Sequence, residues 1–418
     1  MGKSFVNIIE SKNGNNTISH FKSSKSPFLF TISYTETANI PGITIAGANT
    51  ELIKFTPAAD AEYIHFGKCR CIDTIPATPD GKPTPAIITK TALELANIPI
   101  TVIDSGSLVK PLIPYTNINS TFGKNIALEK ALELKDVLSN YEMGKIIGKQ
   151  ASKNNDLVII GESIPGGTTT ALGVLSLLGI EAYNKVSSSM PGNPHALKNK
   201  IVNKSLLKYN IKFGDFRDDP FNAISYFGDP MMPTVSGMVE EIISRNKKVI
   251  LAGGTQMCCI VAILKSQGLK FNNNLCIGTT SYIVEDKKSD LLGLLNQITD
   301  DIPIFYTDLG LENSIKIGLK SFAEGFVKEG AGAGGTAIAA SLKKESLTQK
   351  SFLNKLEENY YTTIEEPIIL QNKKTGKNEF WFKIKKQQNF SRMVFDTLCK
   401  KMIFKLNAYV QKHILYFV

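Results

Sequence analysis

The chain has 418 residues, 48 Lys and Arg against 38 Asp and Glu, and a formal net charge of +10. With 43% hydrophobic and 21% charged residues it has the material for a core, which excludes global disorder and the collagen, coiled-coil and disulfide-scaffold classes. The basic surplus raises nucleic acid as a partner until its place along the chain is known.

In chain order, residues 1–25 are rich in Lys, Asn and Ser and read as a loose lead-in without an apolar signal core. Position 6 is Val, so the myristoylation pattern is not met. No apolar run approaches the roughly 20 residues of a membrane span. The runs 28–33, 99–104, 156–160, 248–252, 275–279 and 302–306 are apolar throughout or nearly so and read as strands covered on both faces. Helical periodicity marks 126–152, 169–180, 235–245, 255–267 and 314–328. That alternation predicts an α/β fold, a three-layer α/β/α Rossmann-like domain on a mostly parallel sheet, with ligands at the carboxyl ends of the strands. Cys69 and Cys71 form C-x-C, Cys258 and Cys259 are adjacent, and Cys276 and Cys399 stand alone. No C-x-x-C pair occurs, and the thiols read as buried or incidental in a reducing cytosol.

At about residue 371 the composition changes. Residues 372–418 hold ten Lys and one Arg against Glu379 and Asp396, a charge of +9, which leaves +1 for residues 1–371. The domain organisation expected is therefore a near-neutral body over 1–371 and a basic extension over 372–418. Within the extension, residues 392–417 place apolar side chains on one helical stripe. It could lie on an anionic membrane surface or pack its stripe on the body. The nucleic-acid reading loses its support in the body.

Gly-Gly-Thr occurs at 166–168, 253–255 and 334–336. The first two follow predicted strands and open predicted helices. Glycine lets the backbone turn tightly and approach a ligand, and the N–H groups and dipole of a helix start form an anion site. Neither a Walker loop nor G-x-G-x-x-G is present, so these loops fit a phosphorylated small molecule or plain strand-to-helix turns. The third cluster, Glu329-Gly330-Ala331-Gly332 onward, puts a carboxylate at a helix end before a small-residue loop. Glycines there let a substrate approach Glu329, and partial burial would raise its pKa toward that of a general base. A surface cap or a lysine pair is the plain alternative. His195 is in a loop and is left out of the site. No His/Asp/Glu spacing suits a metal, and no cofactor is called for.

The strings GESIPGGTTTA (161–171), GDPMMPTVSGM (228–238), LAGGTQM (251–257), TTSYIVED (279–286) and FVKEGAGAGG (326–335) occur in order. With PGITIAGAN (41–49) and TPAADAEYI (56–64), they resemble the CobT family in its archaeal and cyanobacterial-type branch, over about 28–345. These are nicotinate-nucleotide–dimethylbenzimidazole phosphoribosyltransferases. The resemblance implies transfer of the 5-phosphoribosyl group from nicotinate mononucleotide to 5,6-dimethylbenzimidazole. The products would be nicotinate and α-ribazole 5′-phosphate, for the lower ligand of cobalamin. It also implies a Rossmann-like fold and a homodimer, which with the cysteine pattern reads as a cytoplasmic enzyme. Glu329 falls on the family's general base and Glu162 on its second active-site carboxylate. Gly166, Gly167, Thr168 and Thr169 match the loop lining the nucleotide site. Gly228, Asp229, Gly253, Gly254 and Thr255 match glycine-rich strand ends expected around ribose and phosphate. Gly330 and Gly332 flank the base. Gly166-Gly167-Thr168 stands where bacterial members read G-N-T, and Lys328 where many have Gly, so adenine or another benzimidazole stays open as acceptor. The alternatives are a non-catalytic nucleotide-binding or regulatory module and an enzyme acting on another phosphorylated small molecule.

Overall fold

The computed structural model describes residues 5–9, 18–47, 49–74, 77–78 and 81–375. The chain divides into two compact units, Met1–Tyr360 and Tyr361–Val418. The larger unit is built on one eight-stranded sheet. Its strands are β1 (Val6–Ile9), β2 (Phe28–Ile32), β3 (Ile100–Asp104), β4 (Thr116–Asn117), β5 (Leu157–Ser163), β6 (Lys248–Ala252), β7 (Leu275–Thr280) and β8 (Ile304–Thr307). Their spatial order is β1-β8-β7-β6-β5-β2-β3-β4. All pairs are parallel except β1 against β8.

Every residue of β2, β5 and β7 is buried, as parallel strands covered on both faces require. Chain order runs one way from β2 through β3 to β4, and the other way from β5 through β6 and β7 to β8. The reversal between β2 and β5, where Thr31 lies opposite Glu162 and Ile32 opposite Ser163, is the topological switch point at which such sheets open a ligand crevice.

The helices up to β6 are α1 (Thr56–Phe66), α2 (Ala86–Ala96), α3 (Leu134–Ser152), α4 (Gly167–Leu177), α5 (His195–Tyr209), α6 (Pro220–Phe227) and α7 (Met231–Ser244). Beyond it come α8 (Gln256–Ser266), α9 (Ser281–Val284), α10 (Leu291–Ile298), α11 (Ile317–Ala323), α12 (Ala333–Lys343) and α13 (Gln349–Tyr360). On one face α12 packs across β5 to β8 and against α2, which also carries α1 and α13. On the other, α7 packs on β2, β5 and β6, with α3 and α8 against it. Leu29, Val158, Ile160, Val249, Leu251 and Ile277 point into that second layer. The three-layer α/β/α reading holds.

Local differences have physical causes. The expected helix 126–152 begins only at Leu134; Ile126, Ala131 and Leu132 are buried in the turns before it. The expected helix 314–328 is only Ile317–Ala323, because Gly325 at φ +89° and Val327 at φ +44° turn the chain away. Of the expected loose lead-in, the described residues 5–9 and 18–25 include ordered elements. Val6–Ile9 forms the antiparallel edge strand, and Phe21 is fully buried, edge-on to Phe305 at 5.3 Å. The amphipathic stripe expected over 392–417 lies outside the described residues. In the smaller unit a π-helical turn, Tyr361–Glu365, leads into a helix, Glu366–Thr375. Among the described residues no helix is long and apolar enough to cross a membrane.

Candidate active site

A cleft opens at the carboxyl ends of β5, β6 and β7, beside the switch point. It encloses about 950 Å³, counted out into the open solvent at its mouth. Of the residues expected there, Glu162, Gly166, Gly167, Thr168, Gly254, Thr255, Glu329 and Gly330 line it. Thr169, Gly228, Asp229, Gly253 and Gly332 do not. Thr169 is fully buried in the first turn of α4. Asp229, also fully buried, accepts from Thr170 Oγ1 at 2.6 Å and from the Met232 N–H at 3.3 Å, so it braces the starts of α4 and α7. Gly228 ends α6, its N–H on the Ile224 carbonyl at 2.7 Å. A Cβ at Gly253 would meet Met257 Cε at 2.6 Å, and one at Gly332 would meet the Phe28 ring at 2.8 Å. These residues support the cleft from behind.

The loop off β5 is shaped for close approach. Gly166 stands at φ +80°, where a Cβ is strained, and it opens α4. Thr168 Oγ1 accepts a hydrogen bond from Lys198 Nζ at 2.7 Å, and Lys198 also donates to the Ser187 carbonyl at 2.7 Å. Lys198, on α5, is fully buried, and no carboxylate among the described residues pairs with it. Burial, reinforced by the charge of Lys328, pulls its ammonium down to about 7. A lysine ammonium only donates, so the Thr168 hydroxyl turns its own proton away from Lys198. Thr255 Oγ1 accepts from the Ser187 N–H at 2.9 Å, tying the loop off β6 to the same serine.

Three carboxyl groups converge on the cleft. Glu162 is 7% exposed near the end of β5; burial first, then the Asp229 carboxylate, push it up to about 8. Glu329 is partly buried, and burial raises it to about 7 against the pull of the N–H donors that hold it. Those donors are the N–H of Thr280 at 3.0 Å, that of Gly334 at 3.2 Å and that of Gly330 at 3.2 Å, with Thr279 Oγ1 at 3.3 Å. Asp60, on α1, accepts from Thr84 Oγ1 and Ser163 Oγ, each at 2.7 Å, and burial lifts it to about 6. Separated carboxyl pKa values in one site are how acid and base roles are divided.

The third Gly-Gly-Thr does a different job from the first two. Gly334 and Gly335 lie in the first turn of α12. A Cβ at Gly334 would come within 2.1 Å of the Thr279 carbonyl carbon, and one at Gly335 within 2.3 Å of Ala252 Cβ. Glycine there seats α12 on the ends of β6 and β7 and brings the Gly334 N–H to Glu329. Glu329 itself sits well beyond the end of α11, in the loop after it, not at a helix end.

Sequence reasoning missed Asp60, Lys198 and Gln256. Asp60 and Gln256 lie inside quoted motifs, TPAADAEYI and LAGGTQM, but carried no role. Gln256 is buried on the cleft wall, and its Nε2 has no partner among the described residues. Lys198 had no motif to mark it. His195 turns a ring nitrogen to the Lys288 carbonyl at 2.6 Å and is not on the cleft wall. Among the described residues no group of three His, Cys, Asp or Glu is placed to hold a metal.

A family model described as phosphoribosyltransferase matches residues 89–280. A UPF0284 protein of Archaeoglobus fulgidus is 45% identical over 336 residues, covering 80% of this chain and 93% of that protein. A UPF0284 protein of Sulfurisphaera tokodaii is 42% identical over 342 residues, covering 81% of this chain and 94% of that protein. Among solved structures, nicotinate-nucleotide-dimethylbenzimidazole phosphoribosyltransferase from Thermus thermophilus superposes with a TM-score of 0.51 at 14% identity. That match covers 79% of this chain and 85% of the other, and at that identity it shows a shared fold.

Proposed function

The chain belongs to the UPF0284 family and carries a phosphoribosyltransferase domain, and from that premise we propose that it moves the 5-phosphoribosyl group from nicotinate mononucleotide to 5,6-dimethylbenzimidazole or a related base. The products are nicotinate and an α-ribazole phosphate for the cobalamin lower ligand. The observation that carries this reading is the polarity of the cleft. A fully buried ammonium with no carboxylate partner among the described residues, Lys198, stands behind the hydroxyl of Thr168 and the start of α4, and a buried cation calls for an anion. In the same cleft stands a glutamate, Glu329, raised to about 7.

In the proposed reaction the phosphate lies on Gly166, Gly167 and Thr168 at the α4 N-terminus, with Gly254 and Thr255 beside the ribose. Ionised Glu329 takes the ring N–H proton of the acceptor. The freed nitrogen lone pair forms the new bond to C1′ from the face opposite nicotinate. The old C1′–N bond breaks, and its electron pair returns to the pyridine nitrogen, so β becomes α. Glu162, raised to about 8, is mostly protonated at pH 7 and offers a donor to a sugar oxygen. The catalytic domain is assigned to 1–371 and the appended extension to 372–418 on the change of composition near residue 371, a cytoplasmic location on the pattern of the cysteines, and a homodimeric working form on the family resemblance.

The test follows nicotinate release from nicotinate mononucleotide with dimethylbenzimidazole. Glu329→Gln is expected to abolish release while nucleotide binding persists. Full activity in that variant would remove Glu329 from the role. Because the base must be ionised, the wild-type rate is expected to fall as pH drops through about 7; a rate that stays flat down to pH 5 contradicts it. Release with adenine but not with dimethylbenzimidazole would move the acceptor to a purine.

A further inference from the structure

The loop between α11 and α12 carries Glu329 in a conformation that its sequence does not favour. Gly325, Val327, Gly330, Ala331 and Gly332 all have positive φ, at +89°, +44°, +151°, +50° and +75°. Val327 and Ala331 are not glycine, and a β-branched residue at positive φ is a genuine outlier. Strain of this kind persists only where the surroundings over-determine the backbone, and it collects at functional sites.

The restraint is centred on Lys328. Val327 and Glu329 line the cleft, and Lys328 between them does not. Its side chain turns the other way and is 3% exposed. There its ammonium meets Asp286 Oδ2 at 2.8 Å, Asn193 Oδ1 at 3.1 Å and the Met190 carbonyl at 3.2 Å, which uses all three of its donors. Asn193, itself at φ +42°, donates Nδ2 to Asp286 Oδ2 at 2.9 Å and accepts from Ser188 Oγ at 2.9 Å. The backbone on either side is tied as well. The Val327 N–H donates to the Ser189 carbonyl at 2.8 Å, and the Lys328 carbonyl accepts from Thr280 Oγ1 at 2.6 Å. The loops 187–193, 280–289 and 324–331 thus meet at one buried ammonium, one residue from the carboxylate that faces the cleft.

We propose that Lys328 is the positioning residue for Glu329. Its ammonium clamps the strained loop to Asp286, Asn193 and Met190 on the side away from the cleft, and so fixes where the Glu329 carboxylate meets substrate. The inference rests on Glu329 being the base proposed above. Lys328 acts through backbone geometry and touches no substrate, so its loss should fall on kcat and leave nucleotide affinity alone.

Lys328→Met removes the clamp but leaves the Asp286 carboxylate, 8% exposed, without its ion-pair partner and held only by Asn193, Ser289 and the Lys288 N–H, a charge imbalance that by itself destabilises the region. The companion variant Lys328→Met with Asp286→Asn removes both charges and is expected to keep the fold, which its circular dichroism and Tm check. For the double variant kcat for nicotinate release is expected to fall about 100-fold, the scale of a displacement near 1 Å at a reacting group. KM for nicotinate mononucleotide should stay close to wild type. Amide exchange over 324–334 should accelerate, with the sheet unchanged. Wild-type kcat in the double variant, or unchanged exchange over 324–334, overturns the proposal. A wild-type protein that releases no nicotinate, combined with faster exchange in the variant, defeats the reaction assignment and leaves the clamp standing.

Discussion

Glu162 and Glu329 share a cleft but are held by different means. Glu329 is pinned by backbone N–H groups that favour its charge, whereas Glu162 lies beside the Asp229 carboxylate, which disfavours it. The consequence for stability has a definite sign. A carboxyl whose folded pKa is raised contributes stability that is fully present below its ordinary value of about 4.5 and is lost as pH rises through about 8. Glu162→Gln removes that burden. Its Tm is expected to exceed wild type by a margin that grows between pH 5 and pH 8.5, while activity is lost, the usual trade between a strained site and a stable one. Calorimetry at the two pH values checks this; a gain that is equal at both, or larger at pH 5, contradicts it. Glu329 was legible in the sequence from the glycine loop that carries it, and Glu162 only through the family resemblance of its string. Lys198 and Asp60 were not, since one lies on the Lys- and Asn-rich α5 and the other on α1, which is buried nearly all round and shows no amphipathic stripe.

At the scale of elements, small residues set how closely the layers approach. Helices α3 and α7 cross with their backbones nearly touching. A Cβ at Gly237 would lie 2.1 Å from the Tyr141 carbonyl oxygen, and one at Gly144 would lie 2.2 Å from that of Thr234. Gly237→Ala is expected to destabilise the fold by about 1–3 kcal/mol, the range for overpacking a tight contact. Because α7 contributes nothing to the cleft wall, KM and kcat should be retained. Urea unfolding measures the first and nicotinate release the second. Gly192→Ala is the control: nothing lies within 4 Å of its added carbon, and its effect should stay within about 0.5 kcal/mol. The strands were readable as apolar runs because both sheet faces are covered. The close crossings were not, because a glycine that permits contact and one that permits a turn look alike in sequence; Gly334-Gly335 is the instance that matters for the site.

For the molecule as a whole, the basic charge and the cleft separate along the chain. Residues 372–418 carry +9 of the total +10, and among the described residues none beyond Ala331 lines the cleft. Removing 372–418 is therefore expected to leave kcat and KM for nicotinate release close to the full-length values while bringing the protein near electrical neutrality. Assaying the truncated chain beside the full one decides it, and a large loss of activity would draw the extension into the catalytic unit. The sequence by itself determined the parallel α/β sheet and the strands from which the cleft loops spring, because buried strands and glycine turns are encoded locally, while its family resemblance singled out Glu162 and Glu329. Only the tertiary structure decided which loops share one cleft, that Lys198 stands behind Thr168 with no carboxylate partner among the described residues, and that Lys328 faces Asp286 where three loops meet. Burial, close approach and raised pKa values are properties of what surrounds a residue, and those surroundings come from segments far apart along the chain.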